Sequence, residues 1–352
     1  MLPEGAQRIA PKDGKTLRYA VRTDGKRGFL FLNNYQDHFS LPDRENEDLA
    51  LHLDQEDLTW RIGIAGDENA ILPFHFDMDG IDLVKANAQV VTRTVINGEI
   101  TYVFFVPDGM KGGFVFEDGA EINGVCEHTY CCGENRETEF FHVKKNDSEF
   151  DVLVLNRKMA DNMYLLCDGS LVFTEAVLLE DENGIRLESV EASNVIYAYP
   201  AERFAGEETV RRMENDRAEY LGAYLAETKE RRIEADVKQV AASRYTIGIP
   251  ENFLDGLKDA RLLIEYTGDI GNAFLNGRMI NDNFANGAQW EIGLKDFAGE
   301  LKKNRITLYI VPLKEGVNVK VDSAMAARRE EAEVSAAQLW SVRVQPVYEI
   351  NI

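Results

Sequence analysis

Short apolar or alternating runs, each closed by turn residues and recurring at about ten-residue spacing, constrain this chain more than any other feature. The first, residues 16–23, alternates through Leu17, Tyr19 and Val21 and runs into the turn signal Asp24 and Gly25. Runs at 28–34, 49–53, 58–62, 70–76, 89–95 and 101–106 follow, with Gly63, Gly66 and Asp67 as punctuation. Asn97 and Gly98, between the last two, form a two-residue hairpin signal. Strands this close together, with no helical periodicity between them, predict a β-sandwich rather than a repeat of strand and helix.

The remainder reads in the same style. Runs at 138–143, 151–156, 162–167, 170–174, 184–190 and 195–200 extend the first sheet system or add a small all-β insert near 118–200. The stretch 207–221 is rich in helix formers, with opposite charges three and four apart. Its hydrophobic stripe, Val210, Met213, Tyr220, Leu221 and Tyr224, is thin, so 201–231 reads as a linker, partly helical. From 232 a second β unit begins, with runs at 243–250, 260–266, 271–276, 304–311 and 340–348 and a hairpin turn at Asn276 and Gly277. Residues 323–333, alanine-rich and helix-prone, make an excursion before the last strand. The expectation is an all-β chain with few helices: a lead-in over 1–14, β-sandwich domain(s) over 15–200, the linker, and a jelly roll over 232–352.

Charge narrows the partners. The 352 residues carry 39 basic and 61 acidic side chains, a formal −22. Such a surface repels phosphate backbones and anionic head groups, which disfavours nucleic acid and membranes as partners, whereas a neutral sugar is compatible. No window offers the roughly eighteen uninterrupted apolar residues of a membrane span, and the first residues lack the apolar core of a signal peptide. Cys126, Cys131, Cys132 and Cys167 fit no zinc-site spacing; they read as reduced, mostly buried thiols, which together with the absent signal points to the cytoplasm.

No motif supplies chemistry. A glycosidase needs two carboxylates about 5 to 9.5 Å apart, and 61 acids nominate no pair. Asp77, Asp79 and Asp82 with Gly80 resemble the start of a calcium loop, but position twelve is Ala88 where a bidentate glutamate belongs; an Asp-Gly turn explains the run equally. His38, His52, His75, His128 and His142 lack the spacing of zinc enzymes. No nucleophile elbow or phosphate loop occurs, so the expectation is no cofactor, no metal and no catalytic residue. Phe29, Phe31 and the 102–105 run read as core. Trp290, beside Asn286 and Gln289, has the make-up of a sugar platform, an indole face with amides next to it, although burial in a sandwich core is the commoner fate of such a Trp.

Two sets of residues resemble glycoside hydrolase family 35, the β-galactosidases. One comprises 27–35, 70–80, 88–93 and 101–109, similar to the β domain that follows the catalytic barrel; the other comprises 268–278, 282–287 and 290–294, similar to the galactose-binding-like jelly roll at the family's C-terminus. The resemblance implies a role in carbohydrate metabolism. Family members carry their catalytic glutamates on a preceding (β/α)8 barrel, and the resemblance begins where that barrel has ended, so no catalytic role carries over. It implies a non-catalytic region that supports or walls a carbohydrate-binding cleft, inactive alone, whose partners are a catalytic barrel in cis or in trans, a galactoside and a second copy of itself. The alternatives are a free-standing carbohydrate-binding module and an enzyme of another class with two carboxylates in a deep groove.

Overall fold

The computed structural model describes residues 9–10, 13–36, 39–54, 56–134, 136–215, 217–285, 288–314 and 337–352. They form two compact units, one of residues 1–174, 196–206 and 212–224 and one of 175–195, 207–211 and 225–352. Both are built from mainly antiparallel sheets, with few and short helical turns among the described residues. An all-β, layered architecture is therefore what the chain adopts.

In the first unit, a six-stranded sheet runs in the order Arg18–Thr23, Gly28–Asn34, Glu68–Met78, Ile81–Ala86, Gly113–Phe116, Thr129–Cys131. A five-stranded sheet runs Glu121–Ile122, Thr138–Lys145, Ser148–Asn156, Glu99–Val106, Gln89–Ile96, with one parallel pairing, Ser148–Asn156 on Glu99–Val106. Met78, Leu83, Phe104, Phe114, Phe141 and Phe150 make one core. A separate hairpin, Arg44–His52 with Asp57–Ile64, buries Leu58, Trp60, Ile62 and Ile64 against Leu30, Leu32, Leu72 and Phe74. Strand Asp57–Ile64 alternates buried and less buried residues because one face only meets a core. Strand Glu99–Val106 is buried from Thr101 through Phe105 because it has cores on both faces: Tyr102 and Phe104 join one, Val103 and Phe105 another.

The hairpins follow from turn chemistry. Asn97 and Gly98 have φ of 54° and 90° and connect Ile96 to Glu99; Asn276 and Gly277 have φ of 50° and 77° and connect Leu275 to Arg278. Both central residues need positive φ, which Asn tolerates and Gly adopts without cost.

The second unit is a sandwich of two five-stranded sheets. One runs Val177–Asp181, Gly184–Ser189, Gln338–Asn351, Asp259–Thr267, Trp290–Gly293; the other runs Asp236–Ala241, Arg244–Gly248, Ile306–Val311, Ile270–Leu275, Arg278–Phe284. Ile247, Leu262, Ile264, Leu275, Ile306 and Leu308 fill the space between them.

Two sequence expectations need correction. The helical character expected over 207–221 is not there: Val210–Met213 and Gly222–Glu227 are strands and 201–206 is a series of turns. The favourable charge spacing loses to tertiary pairing, which buries Val210 and residues 221–224. The thiols are also not mostly buried: Cys126, Cys131 and Cys167 are exposed and Cys132 is half-buried. The helix expected at 323–333 lies outside the described residues. No described helix is long and apolar enough to cross a membrane.

Candidate functional site

The outer face of the sheet that holds Gln338–Asn351 carries the chain's most exposed tryptophan. Along that strand, Ser341 pairs with Glu265 but Leu339 pairs with Tyr266, so Trp340 is one residue too many. An inserted residue of this kind breaks the strict inward and outward alternation. Leu339 and Val342 both turn to the core, and the two residues between them face away from it. Trp340 is left 61% exposed, a state that costs apolar hydration and is uncommon for so large a side chain.

The ring is held rather than free. Trp340 Nε1 donates to Thr267 Oγ1 at 2.8 Å. Beside it, Ser341 Oγ donates to Glu265 Oε2 at 3.0 Å and Gln289 Nε2 donates to Glu265 Oε1 at 3.1 Å. One carboxylate thus aligns a hydroxyl and an amide next to a fixed, solvent-facing indole. Each carboxylate oxygen keeps a second lone pair, and the Gln289 amide oxygen is an acceptor. Such a surface stacks on the C–H face of a sugar while its hydroxyls meet amide and carboxylate groups.

The residues singled out from sequence separate. Gln289 lies on this face. Asn286 lies outside the described residues. Trp290, the expected platform, is a core residue: it is 3% exposed, its ring meets Tyr266 edge-on at 5.8 Å between centroids, and its Nε1 donates to Asn281 Oδ1 at 2.8 Å. A Cβ built on Gly271 would come within 2.6 Å of the Trp290 ring, so glycine there makes room for it. No face of that indole is open to a ligand. The sequence signal that would have found Trp340 is a phase break: Leu339, Val342 and Val344 are spaced three and then two, which a regular strand does not do.

The first unit has other polar clusters. Asp77, Asp79 and Asp82 do not converge. Asp77 Oδ1 accepts from Gly80 N at 2.9 Å, Asp79 takes two bonds from Arg93 at 2.8 and 2.9 Å and one from Tyr102 Oη at 2.7 Å, and Asp82 Oδ2 meets His75 Nδ1 at 2.6 Å. The Arg93 guanidinium holds the Asp79 carboxyl below its ordinary range, against a partial burial that raises it. Among the described residues no group of three or more His, Cys, Asp or Glu is arranged to hold a metal ion. His75 stands in a 440 Å³ cleft with φ of 46°, between Asp82 and Glu56, whose Oε1 lies 2.9 Å from Nε2. It links Glu56 to the six-stranded sheet. In the same cleft Glu117 is lowered by Lys145 and by the Asp82 backbone N–H.

No family model matches the chain, and no curated protein matches it. Among solved structures, the crystal structure of the GH31 alpha-xylosidase from Xanthomonas citri aligns with 97% of this chain at 12% identity and a TM-score of 0.16. The chain spans 37% of that enzyme's length. A likeness at that score carries no argument, and neither it nor the other comparisons support family 35. What stands is an all-β sandwich fold with a fixed, exposed indole among aligned polar groups.

Proposed function

We propose that the chain is a glycan-binding, non-catalytic β region that serves a glycoside hydrolase, with Trp340 as the stacking surface and Gln289, Glu265 and Ser341 as its hydrogen-bonding partners. The observation that carries this reading is the bulge at Trp340: it costs a regular pairing and exposes a large apolar ring, yet the ring is anchored and flanked by an ordered polar row. The motif resemblance to family 35 extends the proposal to β-galactosidases, with galactose-containing glycans as ligand and a catalytic barrel as partner, in cis or in trans. The same surface suits a free-standing carbohydrate-binding module.

Titration of galactose and galactan oligomers against intrinsic tryptophan fluorescence tests the reading. The wild type responds at millimolar sugar and Trp340→Ala does not, because Trp60 and Trp290 are both 3% exposed and out of reach. Silence of the wild type sinks the proposal. The isolated chain leaves a chromogenic β-galactoside intact; turnover by it defeats the non-catalytic part.

A further inference from the structure

Hydrogen-bond donors and acceptors around the Trp340 ring are unequal. Trp340 Nε1, the Ser341 hydroxyl hydrogen and one Gln289 N–H are already given, to Thr267 Oγ1, Glu265 Oε2 and Glu265 Oε1. What these groups still offer is mostly acceptor: a second lone pair on each Glu265 oxygen, the Gln289 carbonyl, the Ser341 oxygen and Thr267 Oγ1. Against these stand two donors, the Thr267 hydroxyl hydrogen and the second Gln289 N–H. The Glu265 side chain is exposed, and its carboxylate adds a negative charge to the acceptor surplus.

The cations of this face stand further along the strand. In Asp259–Thr267, residues 262 and 264 belong to the core, so 261, 263, 265 and 267 point outward. Thr267 anchors the ring, Glu265 lies opposite Ser341, Leu263 opposite Arg343 and Arg261 opposite Gln345. At about 3.4 Å per residue, the position of Arg343 is about 13 Å along the strand from Thr267. Arg261 is further still, with its guanidinium 3.5 Å from Glu291. Glu265 is therefore the first charge that a ligand lying on the ring meets.

A sugar hydroxyl both donates and accepts, whereas a carboxylate or sulfate group only accepts. Resting on the glycan-binding reading above, we infer that Glu265 makes the Trp340 surface selective for neutral sugars with adjacent free hydroxyls and turns uronic-acid and sulfated sugars away. Two neighbouring hydroxyls donate to its two oxygens, in charge-assisted bonds stronger than neutral ones, while the C–H face of the ring lies on the indole. An anionic sugar in the same place sets like charges about 4 Å apart, which at a water-exposed surface weakens binding about fivefold. Salt at about 1 M, where the screening length is about 3 Å, removes most of that penalty.

The test titrates the whole chain with galactotriose and with trigalacturonate, matched in length, while tryptophan fluorescence is followed at low salt and at about 1 M salt. The wild type prefers the neutral trimer about fivefold or more at low salt, and the preference narrows at high salt. Glu265→Gln, shown to be folded by circular dichroism, binds the neutral trimer more weakly and brings the ratio of the two affinities towards one. Glu121→Gln removes an exposed acid of the first unit and keeps the wild-type ratio, which separates Glu265 from the general repulsion of an acidic chain. Equal or tighter binding of the acidic trimer by the wild type overturns the inference, as does a ratio that survives Glu265→Gln or falls as far in Glu121→Gln. In each of those cases binding of galactotriose leaves the proposed function standing; silence of the wild type towards both trimers brings down the proposed function and this selectivity together.

Discussion

Trp290→Ala separates the two tryptophans of the C-terminal sandwich. A Trp side chain buries roughly 200 Å², and at about 25 cal/mol per Å² its transfer alone approaches 5 kcal/mol. The alanine methyl recovers part of that, while the lost Nε1 bond to Asn281 and the space left beside Tyr266 and Gly271 add to the cost. Cavity-forming Trp→Ala changes cost about 3–5 kcal/mol, and about 4 is expected here. For a unit of this size each kcal/mol is about 2–4 °C in Tm, so the transition of the C-terminal sandwich falls by roughly 10 °C. Trp340→Ala removes one hydrogen bond and a largely hydrated ring, and stays within about 1 kcal/mol. Differential scanning calorimetry, with calorimetric and van't Hoff enthalpies compared for each transition, reads both. Equal, small shifts for the two variants refute the core assignment of Trp290. A Trp290→Ala protein that keeps its Tm but loses sugar binding would restore Trp290 as the platform.

Three further outcomes follow from the first unit. Burial, then the neighbouring Glu139 and Cys131, push the Cys132 thiol up to about 12; at pH 8 a thiol reagent therefore labels Cys126, Cys131 and Cys167 quickly and Cys132 only on unfolding. Asp79→Asn costs about 1 kcal/mol at neutral pH after allowance for solvent screening. Because Arg93 depresses the folded carboxyl, that contribution is complete above the unfolded value near pH 4 and disappears as pH falls through the lower folded one, so wild-type and variant Tm converge in acid. Gly63→Ala drives a Cβ to within 2.3 Å of Gly109 O and lowers stability by about 1–3 kcal/mol, measured by urea titration; a neutral outcome contradicts the described backbone approach.

Much of the fold was legible because its determinants are local. Asn97 with Gly98 and Asn276 with Gly277 announce their hairpins through a backbone conformation that few other residue pairs accept. The alternation at 57–64 announces a strand with one buried face. The failures come from non-local terms. Nothing within 207–221 says that Val210–Met213 and Gly222–Glu227 are wanted as strands, since their neighbours are distant in sequence. Trp290 and Trp340 look alike in a window of ten residues, each flanked by polar and branched neighbours. The pairing slip opposite Glu265 and Tyr266 is what sends one inward and the other out. Likewise, Trp60 reads as an ordinary core residue of an alternating strand, and nothing in its sequence neighbourhood says that its indole N–H finds no partner among the described residues.

The central claim is that a glycan is held on the outer face of the C-terminal sandwich by the ring of Trp340, and native electrophoresis through gels containing galactan tests it most directly. The account predicts that the wild type and Trp290→Phe are retarded relative to a gel without polysaccharide, while Trp340→Ala migrates alike in both. Equal retardation of Trp340→Ala and the wild type, or retardation of neither, contradicts it.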